Sequence, residues 1–149
     1  QVLWRIERGE LDGFAPKLVV LLIGSNNLTP GLGENSLTPK NTPLETSAGV
    51  AVIVDALRHR LSQGRILLHA ILPRDEPHHP IRREVTETNA TLARLADGRG
   101  VSFFDPSAQF LSPGGTISRK IMPDLLHLNT RGYALWAKAL RWPIRELLA

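Results

Sequence analysis

"KLVVLLIGSNN", from Lys17 to Asn27, decides the fold. Its first part, Lys17 to Gly24, is a continuous run of Val, Leu and Ile with no polar alternation. The run is too short for a buried helix and reads as a strand covered on both faces. Two further runs have the same character. "RILLHAIL" spans Arg65 to Leu72 and is ended by Pro73, and "VSFFD" spans Val101 to Asp105 and is ended by Pro106. Between the runs lie helical patterns. Val50, Ile53, Val54, Leu57 and Leu61 keep helical spacing, with Gly64 placed as a stop. Pro80 suits the first turn of a helix reaching about Ala96. Asn129 or Thr130 can cap a last helix with Tyr133, Trp136, Ala137 and Leu140 on one face, which Pro143 should kink or restart. Val2 to Gly9 reads as the tail of another helix. The stretch from Leu28 to Thr46 has no periodicity and reads as a long loop, of a length that tends to be functional or mobile. Strands alternating with helices predict an α/β domain around a parallel sheet, with right-handed crossovers placing helices on both faces. Three strands fall short of the usual five or so, and an N-terminal portion carrying more is expected.

The bulk properties narrow the function. The 149 residues suffice for one domain, residues 1–149, with a core of its own. The net charge is +4 and the pI about 10.1, but the basic residues are scattered. Arg58, Arg60 and Arg65, and the pair Arg82 and Arg83, lie beside helical patterns and read as solvated helix faces. With aromatic content at 5% and no interleaving of aromatic and basic residues, no nucleic-acid partner is expected. The absence of cysteine excludes disulfides, thiolate catalysis and cysteine-ligated zinc, and leaves the compartment open. No apolar run approaches the roughly 18 residues of a membrane span. No signal segment is visible, and the sequence opens on Gln1 rather than Met.

Ligands of open parallel sheets bind beyond the carboxyl ends of the strands. The first strand delivers "GSNN", Gly24 to Asn27, to that edge. Gly24 allows a sharp turn. Asn26 offers an amide NH₂ suited to an oxygen that becomes negative during reaction, and Gly24 and Asn27 are candidate substrate-binding residues in the same turn. The same residue types also build ordinary turns, so this stretch alone leaves both readings open. "DLLHLN", Asp124 to Asn129, lies between the third strand and the last helix, in a loop at or near the same edge. The Asp124 carboxylate can hold Nδ1–H of His127 and leave Nε2 to take a proton from a hydroxyl. The bland alternative is a partly buried histidine with a hydrogen-bonding neighbour. "DEPHH", Asp75 to His79, groups metal-ligand residue types but contains Pro77, precedes Pro80 and has no helical His pair. It reads as a solvated loop, and no metal site is expected. His69, in mid-strand, reads as a core or interface histidine. Gly31 and Gly33 stand too far from a helix start to cradle a phosphate.

"VVLLIGSNN" and "DLLHLN" resemble the third and fifth blocks of the SGNH hydrolases, or GDSL esterases. The resemblance is strongest to the branch containing the catalytic subunits of platelet-activating-factor acetylhydrolase and its bacterial relatives. "VLWRIERGEL" before the third block, "ILPR" (Ile71 to Arg74) after the following strand and "GGTIS" (Gly114 to Ser118) before the fifth agree in order and spacing. The resemblance implies a flavodoxin-like three-layer α/β/α sandwich. It implies hydrolysis of acyl or acetyl esters by a Ser–His–Asp arrangement, with no metal and no other cofactor. Asn26 matches the oxyanion donor, His127 the base and Asp124 its orienting partner. The family's nucleophile Ser and a second oxyanion Gly have no match here and are expected upstream of Gln1. So are its first strand, central in the sheet, and its second. None of the serines present has the setting of a nucleophile: Ser25 lies in the oxyanion turn, Ser36, Ser47 and Ser62 in the long loop or around the next helix, Ser102 in a strand, and Ser107, Ser112 and Ser118 between the third strand and His127. The partner implied is a small-molecule ester, with acetylated sugars one plausible class, and an oligomer stays open. The rival reading is a non-catalytic α/β module whose remnant site binds a ligand or partner.

Overall fold

The structure is a computed structural model that describes residues 1–29 and 40–149. Its sheet has three parallel strands, β1 (Leu18–Leu21), β2 (Arg65–His69) and β3 (Val101–Phe104), in the order β1-β2-β3. Val19 of β1 stands opposite Ile66 of β2, which stands opposite Val101 of β3. Four α-helices surround it among the described residues: α1 (Val2–Glu7), α2 (Pro43–Arg60), α3 (Pro80–Leu92) and α4 (Thr130–Leu148).

Side chains alternate across a sheet, and the two faces meet different helices. On one face Leu21, Ile66, Leu68 and Val101 join Ile6 of α1, Val50, Val54 and Leu57 of α2, and Ile81, Val85 and Leu92 of α3 in a single buried cluster. On the other, Leu67, Ser102 and Phe104 line a cavity with Ala139 and Trp142 of α4. The result is the three-layer α/β/α arrangement. In β2, every residue from Ile66 to His69 is buried, because helices cover both faces and strands flank both edges. Full burial stabilises each such aliphatic side chain by about 1.5–3 kcal/mol. β1 departs from expectation. Only Leu21 of its four residues is buried, and Val20 is 38% exposed. Among the described residues β1 pairs with β2 alone, so its other edge is open.

The helices differ from expectation in three places, each with a local cause. α2 starts at Pro43, well before Val50, so the end of the stretch 28–46 is helical rather than loop. Thr42 and Glu45 form a capping box there. Glu45 N–H donates to Thr42 Oγ1 at 3.2 Å and Thr42 N–H to Glu45 Oε2 at 2.8 Å, with Pro43 preset for the first turn. Residues 30–39 of the long-loop stretch lie outside the described residues, and with them the expectation that the loop is functional or mobile. In α4, Asn129 is the cap, its Oδ1 accepting from Arg131 N–H at 3.0 Å and Gly132 N–H at 3.1 Å. The buried positions are Gly132 and Leu140, with Trp136 half-buried, whereas Tyr133 is 56% exposed and Ala137 is exposed. Gly132 sets this rotation: a Cβ there would lie 2.5 Å from the Ile121 carbonyl, so the helix presses its bare side against that turn. Finally, α4 runs on through Pro143 rather than restarting. Proline removes one backbone bond, and the last turn stays pinned by Arg65 Nη1, which donates to the Leu147 carbonyl at 3.1 Å.

A second buried cluster of Phe110, Ile117, Met122 and Leu125 supports the segment between β3 and α4, where Leu111 and Ile117 form an antiparallel bridge.

Candidate active site

β1 runs out through Leu22 and Ile23 to Gly24, whose φ of 107° is open only to glycine at ordinary cost. A Cβ there would also meet Ile71 Cδ1 at 3.1 Å and Thr46 Cγ2 at 3.2 Å. The turn continues as a 3-10 helix, Ser25–Leu28, anchored by Leu28 at 1% exposure. Asn26 and Asn27 are exposed on it. The Asn26 carbonyl accepts from Thr29 Oγ1 at 3.0 Å. Asn27 is turned elsewhere: its Nδ2 donates to Asn41 Oδ1 at 3.0 Å while Asn41 N–H donates to its carbonyl at 2.7 Å. Asn27 thus fastens the turn to the chain entering α2. An open groove of about 890 Å³ runs past this turn, lined by Gly24, Ser25, Asn26, Thr46 and Ile53 among others.

The second loop is folded around Asp124. Leu125 adopts a left-handed φ of 59°, which doubles the chain back over the preceding carboxylate. Asp124 Oδ1 accepts from the backbone N–H of Leu126 at 3.0 Å and of His127 at 2.7 Å. Asp124 Oδ2 accepts from His127 Nδ1–H at 2.6 Å. These bonds hold the Asp124 carboxyl well below the usual carboxylate range, the imidazole bond first and the two backbone donors after it. With Nδ1 committed as donor, Nε2 is the basic nitrogen. The side chains are open to solvent, His127 at 77% and Asp124 at 55% exposure. Arg119 Nη1, donating to the Pro123 carbonyl at 3.0 Å, and Asn129 Nδ2, donating to the Lys120 carbonyl at 3.0 Å, brace the loop.

The two loops meet on the segment that follows β2. Asn89 closes the start of that segment, accepting from Ile71 N–H at 2.8 Å and donating to the Ile71 carbonyl at 2.9 Å. Beyond it, Arg74 Nη1 donates to Ser25 Oγ at 3.3 Å, and Asp75 N–H donates to the Leu125 carbonyl at 2.8 Å. The Asn26 turn and the His127 loop are therefore both attached to the carboxyl end of the central strand. Arg74 entered the sequence reading only as part of a resemblance, and Asp75 only as part of a solvated loop. The overlooked signal was a charged pair placed directly after a buried strand.

Other groups are accounted for locally. Ser47 Oγ donates to the Leu44 carbonyl, Ser112 Oγ pairs with Thr116 Oγ1, and Ser118 Oγ accepts from Lys120 N–H. Among the described residues no hydroxyl is bonded to His127, and Ser36 lies outside them. The Asp75–His79 stretch is dispersed: His79 Nδ1 accepts from Ile81 N–H to cap α3, and Glu76 pairs with Arg119. No group of three or more His, Asp or Glu among the described residues is disposed to hold a metal. His69 is fully buried, donating from Nδ1 to the Ala70 carbonyl at 2.5 Å and accepting at Nε2 from Trp136 Nε1–H at 2.7 Å. Burial pushes its pKa down. No described helix is long and apolar enough to cross a membrane.

The model of the GDSL-like lipase/acylhydrolase family matches residues 1–135. The chain belongs to this family. It is 34% identical over 149 residues to platelet-activating factor acetylhydrolase IB subunit alpha1 of Homo sapiens, covering 99% of this chain and 60% of that protein. The alpha2 subunit of Bos taurus is also 34% identical, over 151 residues with the same coverage. The GDSL-like chain thus spans 60% of the length of these relatives. Two solved structures share its fold. The native aryl esterase of M. smegmatis superposes with a TM-score of 0.70 at 18% identity, covering 97% of this chain and 67% of that one. A mutant acetyl-xylooligosaccharide esterase from Geobacillus Stearmophilus superposes with a TM-score of 0.70 at 17% identity, covering 99% and 68%. The family and the α/β architecture expected of this GDSL-like sequence are both present.

Proposed function

We propose that the chain is the C-terminal part of an SGNH-type serine esterase that hydrolyses acyl or acetyl esters. The observation that carries this reading is the Asp124–His127 pair, with its 2.6 Å bond, two backbone donors on the other carboxylate oxygen and Nε2 left as acceptor. The attachment of the Asn26 turn and the His127 loop to one segment at the carboxyl end of β2 supports a joint role for them.

In this mechanism a serine attacks the ester carbonyl and His127 Nε2 accepts its proton. Asp124 steadies the imidazolium that forms. The Asn26 amide and two backbone N–H groups bind the negative oxygen of the tetrahedral intermediate. His127 then returns the proton to the departing alcohol, and water repeats the sequence on the acyl-enzyme. The serine is supplied by a segment outside Gln1–Ala149. Two observations support that: the hydroxyls of Ser25, Ser47, Ser112 and Ser118 are engaged away from His127, and the chain spans only 60% of the length of its relatives.

The test uses the full-length protein that contains this chain, assayed on p-nitrophenyl acetate. His127→Ala should lower kcat by roughly 10⁴–10⁶-fold with the thermal melt unchanged, because the nucleophile loses its base. Near-wild-type turnover by this variant would remove His127 as the base, and a folded wild-type protein without turnover would leave the binding-module alternative.

A further inference from the structure

Arg74 and Asp75 take no part in the chemistry above, yet the loops of Asn26 and His127 meet on them. Arg74 is the one Asp, Glu, Lys or Arg among the described residues that is buried, at 8% exposure. Its Nη1 donates to the Ser25 carbonyl at 3.4 Å and to Ser25 Oγ at 3.3 Å, one residue before Asn26. Its Nε donates to Asp75 Oδ2 at 3.3 Å. Asp75 passes the connection on, donating its N–H to the Leu125 carbonyl at 2.8 Å, two residues before His127. The Asp75 carbonyl accepts from Arg82 Nε at 3.2 Å, which moors the turn to α3.

Two features separate this arrangement from an ordinary turn. Asp75, at φ 62°, and Leu125, at φ 59°, are the non-glycine residues in the left-handed region among those described, and they are the two partners of a backbone bond that joins their loops. Aspartate tolerates that conformation, but for a side chain as bulky as leucine it is a strained choice, and such strain gathers where geometry matters for function. The second feature is the buried guanidinium. A desolvated charge contributes little to stability that an apolar side chain of similar reach would not. Its advantage is directional: the planar fork reaches Ser25 through Nη1 while Nε holds the adjacent Asp75 carboxylate, two fixed directions that a lysine ammonium does not reproduce from the same position.

We infer that Arg74 and Asp75 are positioning residues, which set the separation between the oxyanion donor on Asn26 and the base on His127. The inference rests on the esterase reading and goes beyond it. In the full-length enzyme, turnover of p-nitrophenyl acetate is measured per active site titrated with a fluorophosphonate, beside thermal melts. Arg74→Met should keep the melt and leave KM within about threefold, while kcat per titrated site falls by roughly 10²-fold, the scale of a misplacement of about 1 Å. Arg74→Lys, which keeps the charge and loses the fork, should fall by at least about tenfold. A folded Arg74→Met enzyme with wild-type kcat per site would overturn the inference. If the Met variant does not fold, a folded Arg74→Lys enzyme with wild-type kcat does the same. A raised KM with unchanged kcat would also overturn it, since Arg74 would then be binding substrate directly. His127→Ala serves as the separate control: if it retains turnover, His127 is not the base and the proposed mechanism fails, not the positioning step alone.

Discussion

At the scale of single residues, the site separates into groups that were legible and groups that were not. Asp124 and His127 could be read because three residues of chain suffice to bring carboxylate and imidazole together, and their bond is 2.6 Å long. The turn that carries Asn26 could be read because Gly24, at φ 107°, ends the apolar run of β1, whereas an oxyanion role for Asn26 over an ordinary turn rested on the family resemblance. The role of Asn27 was harder to read, since its amide is bonded to Asn41, across a stretch with no periodic pattern. For Arg74 the charged pair after a buried strand was the only local signal, because its partner Ser25 stands 49 positions away. For Asn26, replacement by alanine in the full-length enzyme should lower kcat by about 10²–10³-fold with little change in KM, as for loss of one oxyanion donor. Steady-state kinetics on p-nitrophenyl acetate decide this, and a KM effect alone would make Asn26 a substrate contact instead.

At the scale of elements, β2 was the most legible because from Ile66 onward it is covered on every side, so each of those positions had to be apolar apart from His69. α2 was read from its apolar spacing, which starts at Val50, while its true start was written in the capping chemistry of Thr42, Pro43 and Glu45. The face of α4 was misjudged because size favours Tyr133 as the buried residue, whereas close approach selected Gly132. His69 ties β2 to α4 through Trp136, and its own position gives a pH prediction. Its folded pKa is lowered, chiefly by burial, against opposing effects of the Ala70 carbonyl and Asp105. A lowered folded pKa means that protonation favours the unfolded chain, so the stability it protects is present above about pH 6.5 and is lost as pH falls below that value. The melting temperature of the full-length protein should therefore drop between pH 7 and pH 5, and His69→Gln should flatten that drop. An acid slope identical in wild type and variant would show that His69 is not its source.

At the scale of the whole molecule, the open edge of β1 governs behaviour. Val20 is 38% exposed there, and Val2 and Val52, which line the adjoining groove, are 39% and 50% exposed. An unpaired strand beside apolar surface is prone to recruit another chain. On the proposed function, residues 1–149 expressed alone should be inactive and poorly folded, aggregating or gaining structure only when the rest of the full-length protein is added in trans. A thermal melt beside the acetate assay checks this. A cooperative melt with His127-dependent turnover would show that the nucleophile lies within the chain, with Ser25 and Ser118 the first residues to mutate. The same edge has a practical use. On the proposed division, the boundary along β1 separates the base from the nucleophile, so each polypeptide would be dark toward a fluorogenic acetate. Fused to two other proteins, the halves would act as a split reporter whose light signals that their carriers have met.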